Sequence, residues 1–436
     1  RITCRDWFQL SLKEGLTVFR DQCFTADLHS SALKRIEDAA MLRNTQFRED
    51  AGPTAHPVKP DAYQAIDNFY TTTIYEKGAE LIRMLRTLLG DERFMRGMRL
   101  YFQRHDGDAA TTEDFLAAIV EGATEDGTPL NFQPEQFKRW YHQAGTPHVT
   151  VDRHWEPTEG RLTLKFRQST APTPGQPDKL SVVIPVLWTV LNADGGAGDE
   201  RLLVLDQDQQ TVVLEGLAST PRPPVLSLFR QFSAPVTWTA DQADDDLFAL
   251  FAGDTDAFAR WDAGQQIWKR LLLARASGGD DSHLEERMLD ALSQLLSPAG
   301  EKDPAVLATL LAFPGLAELE ALQDEADPPA LFQAACALRE LFGSRLADAL
   351  RQRLASSAES LQAQWPAGQG ERQLTALIWS WLAASGDEGV RDAALAAVSG
   401  PSMTLARAAL RALQPIDCAQ RLQALQVFHD RWQDRP

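Results

Sequence analysis

Two acidic residues near the start of the chain have the spacing of a single helix face. Glu14 follows a stretch whose apolar residues, among them Trp7 and Leu10, predict one side of an α-helix, and Asp21 lies seven residues further on, two turns away. A carboxylate that a helix turns inward can bind a metal ion. Most glutamates are exposed, so the stretch taken alone favours a solvated Glu14, and a surface salt bridge is a second interpretation of Asp21.

Two tyrosines form the second group of residues that could do chemistry. Tyr70 and Tyr75 stand five residues apart, directly ahead of a strongly amphipathic segment. A phenol hydroxyl that points into a cleft can donate a hydrogen bond to charge that develops during a reaction. The simpler interpretation is that both rings pack on the core with their hydroxyls satisfied, and the residues alone favour it.

Complete motifs of the common catalytic classes are missing from the sequence. It has no P-loop, no Gly-x-Gly-x-x-Gly and no Gly-x-Ser-x-Gly, and its eight histidines include no His-x-x-x-His pair. The chain as given therefore contains no complete zinc-binding motif. Its four cysteines form no Cys-x-x-Cys pair, which predicts reduced thiols in a cytoplasmic protein.

Charge and hydropathy restrict the partners that the chain could have. The 436 residues carry a formal net charge of -18, which argues against a nucleic-acid or anionic-membrane partner because phosphates are repelled. Uncharged runs such as residues 180–193 are too short for a membrane helix, and residues 1–30 contain no apolar signal-peptide region.

Residues 1–145 are predicted to be mostly helical. Leucine and isoleucine recur at three- and four-residue spacing over 81–89, and Gly90 follows as a helix end. Thr111 begins a capping-box pattern, and Pro134 is predicted to start a helix that ends near Tyr141.

The pattern changes at residues 145–147, and residues 146–243 are predicted to form a β-sandwich. Leu162, Leu164 and Phe166 alternate with polar residues, and a β-branched run over 182–191 is interrupted by Pro185. Loops rich in Pro, Gly and Asp separate the predicted strands, notably residues 170–178 and 192–200.

Residues 244–436 are predicted to be a helical superhelix. Ala, Leu, Arg, Glu and Gln dominate, and apolar residues recur at helical spacing without a fixed repeat length. Helix pairs stacked as a solenoid are the natural interpretation. The expected fold class is thus multidomain and mostly α-helical, with one β-sandwich between two helical regions.

Two long motifs resemble the zinc aminopeptidase N family in its bacterial form, a branch of the gluzincin metallopeptidases. Lys-Glu-Gly-Leu-Thr-Val-Phe-Arg-Asp-Gln at residues 13–22 is similar to the family's stretch around its last zinc ligand, and Ile-Tyr-Glu-Lys-Gly-Ala-Glu at 74–80 to its catalytic-tyrosine motif. The similarity continues through residues 102–111, 139–141, 145–147 and 232–235 and weakens in the C-terminal helices.

The resemblance implies a role for each of the four residues. Glu14 would be a zinc ligand, Tyr75 the hydrogen-bond donor to the reaction's oxyanion, Asp21 an acceptor for the ring N–H of a ligating histidine, and Tyr70 part of the pocket for the substrate's first side chain. The substrates would be peptides with a free N-terminus, cleaved by zinc-activated water. The implied fold is the C-terminal half of a thermolysin-like catalytic domain, followed by an immunoglobulin-like β-sandwich and a truncated α-helical superhelix.

The family's His-Glu-x-x-His motif would lie upstream of Arg1, since only 13 residues precede Glu14. We therefore expect a segment of a longer protein that supplies one of three ligands for one zinc ion, and is inactive by itself. The alternative is a non-catalytic binding scaffold, made of the sandwich and the solenoid and derived from a peptidase. An intact His-Glu-x-x-His in the upstream gene sequence would favour the enzyme, and its absence would favour the scaffold. A related gluzincin epoxide hydrolase is a further alternative, against which the long superhelix argues.

Overall fold

The computed structural model describes residues 1–191, 196–364 and 366–435. They divide into two compact units, Arg1–Arg260 and Trp261–Pro436, and each unit is described by itself. Among these residues, no helix combines the length and the apolar character that crossing a membrane requires.

The first part of the first unit is helical, as the sequence predicts. A short parallel pair of strands, β1 (Thr3–Cys4) and β2 (Ala109–Ala110), joins its beginning to a later loop. Among the described residues, π-helical turns are found at Leu42–Gln46 and at Thr73–Lys77. The α-helices are α1 (Leu10–Leu28), α2 (Ser31–Met41), α3 (Phe47–Ala51), α4 (Gly78–Leu89), α5 (Asp91–His105), α6 (Thr112–Ala123), α7 (Pro134–Phe137) and α8 (Arg139–His142).

Local sequence signals explain some of these helix boundaries. Helix α4 ends before Gly90, whose φ of 77° is readily adopted only by glycine. The predicted capping box at Thr111 is confirmed, since its hydroxyl accepts from the Asp114 amide while the Asp114 carboxylate accepts from the Thr111 amide. The single helix predicted from Pro134 to Tyr141 is instead the two short helices α7 and α8.

Two antiparallel sheets follow, although the four-stranded one carries a parallel strand at its edge. The orders are β7-β4-β3-β9 and β6-β5-β8. Pro185 lies in β5 beyond the three residues that pair with β8, so its missing N–H costs no bond to that neighbour. The predicted loop at 192–200 lies partly outside the described residues. The strands are β3 (Pro147–Glu156), β4 (Arg161–Thr170), β5 (Ile184–Val190), β6 (Arg201–Leu205), β7 (Gln209–Leu214), β8 (Leu226–Leu228) and β9 (Thr237–Ala240).

One hydrophobic core runs through the helices and the sheets of the first unit. Leu85 of α4, Phe115 of α6, Trp140 of α8 and Phe166 of β4 belong to the same cluster of buried side chains. The alternation that predicted β4 is confirmed, because Leu162, Leu164 and Phe166 are all fully buried. The helices that carry the candidate site therefore share their packing with the sandwich.

Helices make up the rest of the chain, as predicted. Within the second unit, α16 packs against α12, α14 and α18, and Trp268, Phe342 and Trp381 form an aromatic cluster. The helices are α9 (Asp244–Gly253), α10 (Ala257–Ala276), α11 (Ser282–Leu296), α12 (Pro304–Leu311), α13 (Leu316–Glu320), α14 (Pro328–Arg345), α15 (Ala347–Ser357), α16 (Gln369–Ala384), α17 (Glu388–Val398), α18 (Met403–Leu413) and α19 (Ala419–Trp432).

Candidate active site

Two glycines let α1 pack directly against the start of α4. A Cβ atom at Gly15 would lie 2.7 Å from the carbonyl carbon of Gly78, and one at Gly78 would collide with Ser11 Oγ. The two backbones can therefore touch only because Gly15 lacks a side chain, and the absence of one at Gly78 leaves room for the Ser11 hydroxyl. This crossing brings Glu14 beside the π-helical turn that precedes α4.

Tyr75 occupies the middle of that π-helical turn, Thr73–Lys77. The wider turn is closed by the Gly78 amide, which donates to the Thr73 carbonyl. Ser11 of α1 donates its buried hydroxyl to the carbonyl of Ile74 at 2.8 Å, which fixes the turn against α1. Isolated π-helical turns are rare and occur often at functional sites.

Glu14 and Tyr75 lie together at the wall of one cavity. Burial, the negative charge of the Glu14 carboxylate and hydrogen bonding with it raise the pKa of the Tyr75 phenol. The Glu14 side chain is 16% exposed, and its Oε1 lies 2.8 Å from Lys13 Nζ. The solvated Glu14 that the stretch alone favoured is therefore not what the structure shows.

Glu14, Asp21 and Tyr75 line one open cavity of about 460 Å³. Asp21 is exposed at its edge. Tyr70 is 53% exposed and does not line this cavity, although its ring centroid lies 6.3 Å from that of Tyr75. The structure thus brings three of the four predicted residues to one cavity and leaves the fourth beside it.

Sequence reasoning missed three further carboxylates of this cavity, those of Glu37, Asp38 and Glu76. Burial raises the pKa of each, and for Glu76 the charges of Asp38 and Glu80 add to the effect. Lys34 Nζ lies 2.6 Å from Asp38 Oδ1 and is the lining cation. Two sequence features could have pointed to these carboxylates. Lys34 and Asp38 have the i, i+4 spacing of a helical ion pair, and Glu76 directly follows Tyr75.

The described residues do not assemble a metal centre by themselves. In residues 1–191, 196–364 and 366–435, no three His, Cys, Asp or Glu side chains are grouped to hold a metal ion. Glu14 fits the part of a single ligand, because a half-buried carboxylate on a rigid helix at the cavity wall suits zinc.

Comparison with sequence families identifies each region of the chain. Residues 1–139 match the family described as "Peptidase family M1 domain", residues 145–241 a "Domain of unknown function (DUF3458) Ig-like fold", and residues 244–436 the related "ARM repeats" domain. Aminopeptidase N of Caulobacter vibrioides is 44% identical over 455 aligned residues, covering 100% of this chain and 50% of that protein. The resemblance of the chain to a fragment of bacterial aminopeptidase N is thereby confirmed.

Other relatives agree with this similarity. Aminopeptidase N of Escherichia coli is 41% identical over 80% of this chain and 40% of its own length. The crystal structure of Legionella pneumophila aminopeptidase A in complex with aspartic acid matches all of this chain and 49% of that chain, with a TM-score of 0.84 and 26% identity. The fold-class prediction is confirmed, and the chain spans about half the length of the curated relatives that it matches.

Proposed function

We propose that this chain forms part of a zinc aminopeptidase that releases N-terminal residues from peptides. The interaction between the Tyr75 hydroxyl and the Glu14 carboxylate at the wall of one cavity carries the proposal. The proposal includes three domains, residues 1–145, 146–243 and 244–436. It also includes a cytoplasmic location, which cell fractionation with antibody detection would test.

Glu14 would hold the zinc ion from helix α1, together with ligands that this chain does not supply. A zinc ion, when bound, supplies Lewis-acid activation of water and of the peptide carbonyl. Asp21, at the edge of the same cavity, would orient a ligating imidazole by accepting its ring N–H. We expect Asp21→Asn to weaken zinc affinity by about 10- to 100-fold.

Tyr75 would stabilise the negative charge that develops on the substrate carbonyl oxygen. Its pKa is raised, so the phenol keeps its proton at neutral pH and can donate a hydrogen bond. The turn is fixed before the substrate arrives, so the donor need not reorganise during the reaction. Tyr70, beside Tyr75, would contact the first side chain of the substrate.

The charge of the cavity suits a substrate with a protonated N-terminus. The lining contains one ammonium group and five carboxylates, those of Glu14, Asp21, Glu37, Asp38 and Glu76. An excess of carboxylates around one cavity attracts a cation and disfavours an anion. This supports aminopeptidase action over chemistry on phosphorylated or other anionic substrates.

The deciding experiment compares variants of the complete gene product on aminoacyl chromogenic substrates. Glu14→Ala should lose zinc and activity, whereas Tyr75→Phe should keep zinc and lose about 10²- to 10³-fold in kcat. Tyr63→Phe is the matched control, because it removes a tyrosine hydroxyl away from the cavity lining. Unchanged turnover in Tyr75→Phe would refute the assigned role.

The 436 residues by themselves are expected to hold no stoichiometric zinc and to show no turnover. A single carboxylate binds zinc weakly, and catalytic zinc sites use three protein ligands. Metal analysis of the purified chain tests this expectation, and one tightly bound zinc ion per chain would contradict it.

A further inference from the structure

The π-helical turn that carries Tyr75 is held at both ends by one short helix. Its first residue, Thr73, and its last residue, Lys77, are both bound by side chains of α3 (Phe47–Ala51), which follows the other π-helical turn of the chain. Two adjacent carboxylates, Glu49 and Asp50, make these contacts. We call these two residues and their partners the turn clamp.

Glu49 binds the beginning of the turn through a single oxygen. Its Oε2 accepts from the Thr73 amide at 2.8 Å, from Thr73 Oγ1 at 2.6 Å and from Thr72 Oγ1 at 2.9 Å. Gln46 Nε2 donates to Thr73 Oγ1 from the other side at 3.2 Å. A carboxylate that accepts the first amide of a helical turn acts as its cap, and bonds to a charged acceptor are stronger than neutral ones.

Asp50 binds the end of the turn inside the core. Its Oδ2 lies 2.7 Å from Lys77 Nζ, and both side chains are 1% exposed. Lys77 also donates to the Gly145 carbonyl at 2.9 Å, and Thr146 Oγ1 donates to the same Asp50 oxygen at 2.8 Å. The pair is thus fully enclosed, and its attraction is little screened by water.

We infer that Glu49 and Asp50 are positioning residues for Tyr75, which set the hydroxyl of the π-helical turn against Glu14. Neither carboxylate lines the cavity, so both act through the turn. Hydrophobic packing alone would leave the turn free to relax towards an ordinary α-helix, which would rotate the residues that follow Thr73 around the axis. The inference rests on the proposed role of Tyr75 and extends it to two residues without an assigned function.

The first test observes Tyr75 without any catalytic readout. The chain contains five tyrosines, so incorporation of 3-fluorotyrosine gives five ¹⁹F resonances, of which Tyr75→Phe identifies one. Glu49→Gln should shift or broaden the Tyr75 resonance at neutral pH while those of Tyr101 and Tyr141 stay in place. An unmoved Tyr75 resonance would overturn the inference.

Asp254→Asn is the matched control for loss of stability. Asp254 is a carboxylate that is 4% exposed and bound to Arg230, so its removal destabilises the fold without touching the turn clamp or the cavity lining. It should leave the Tyr75 resonance unchanged, and an equal displacement would show that general destabilisation explains the effect. If Glu49→Gln fails to fold, Thr72→Ala removes one donor to Glu49 from a half-buried position and should displace the resonance less, in the same direction.

The second test uses turnover by the complete gene product. Glu49→Gln should lower kcat by about 10- to 100-fold with a smaller change in KM, because displacing a reacting group by about 1 Å has effects of this size. In the Tyr75→Phe background the same change should have no further effect. Additive losses would overturn the inference. A protein without any turnover would instead count against the proposed function, and the ¹⁹F measurement would still decide the positioning role.

Discussion

Both compact units bury aromatic rings, and the ion pairs of the first unit include fully enclosed ones. The first unit encloses charge, as in the pairs Lys77–Asp50 and Arg230–Asp254, with separations of 2.7 and 2.5 Å. The second unit buries rings as well, around Trp268, and its ion pairs include exposed ones such as Arg345–Glu286. Burying an ion pair stabilises a fold little compared with apolar packing, so these pairs need another explanation. We interpret these buried ion pairs as interactions that fix the positions of the segments around the candidate site.

The largest effect should come from leaving a buried cation without its partner. Asp50→Ala strands Lys77 Nζ in the core, and an uncompensated buried charge lowers stability by about 3–5 kcal/mol. Hydrogen exchange should rise in peptides of the first unit and stay unchanged in peptides from residues 261–435. A loss below about 1 kcal/mol would show that the pair is not enclosed as described.

A cavity created by mutation in the second unit should lower stability slightly less, and this loss should not depend on salt. Leu382 of α16 is fully buried, and Leu382→Ala should cost about 2–5 kcal/mol through lost burial and the space left behind. Urea unfolding at low and high salt should give the same loss, because no charge is involved. A strong salt dependence would break the contrast between the two units.

A change of pH should have a smaller effect on stability, and this effect should come from carboxylates of the first unit. Burial raises the pKa of Glu37, Asp38 and Glu76, so the folded protein binds protons that the unfolded chain releases, and stability should rise as pH falls from neutral towards about 4 to 5. Burial acts against the ionised form of Asp50, but Lys77 outweighs it and lowers the pKa of that carboxyl.

The contribution of Asp50 is therefore lost as pH falls below the ordinary aspartate pKa of about 3.9, through its lower folded value. Urea titrations between pH 3 and 7 should show a maximum of stability, and Glu76→Gln should flatten its neutral side. A stability that climbs steadily up to pH 7 would contradict these directions.

The smallest effect should be found at the exposed pair of the second unit. Arg345 and Glu286 form a two-bond contact in open solvent, at 3.0 Å for each bond. Water screens such pairs, so Arg345→Ala should leave thermal unfolding unchanged within error. A clear loss would show that the contrast between buried and exposed charge is too simple.

Sequence patterns predicted the elements whose signals are local. The helix over 81–89, the capping box at Thr111 and the alternating strand around Leu164 depend on residues close together in the chain, and all three are present. The pairing of Glu14 with Tyr75 was implied only by family resemblance, because the two lie 61 residues apart and meet through the contact of Gly15 with Gly78.

Other features left no readable signal in the sequence. The π-helical turns depend on partners such as Glu49 and Ser11, which come from other parts of the chain. Phe229 and Phe232 adopt positive φ angles that their residue type disfavours, so tertiary contacts must impose them. The carboxylates of Glu37 and Glu76 join one cavity only after α1 and α2 pack together, a contact that no local pattern specifies.

The hydrogen bond from Thr146 to Asp50 has a consequence for anyone who divides this protein for engineering. Thr146 stands just before the first long strand of the sandwich, yet its hydroxyl completes the surroundings of a carboxylate that holds the turn of Tyr75. A truncation at residue 145 would remove that hydroxyl. A chimaera that replaces the sandwich should therefore keep threonine or serine at position 146, so that Asp50 retains this hydrogen-bond donor.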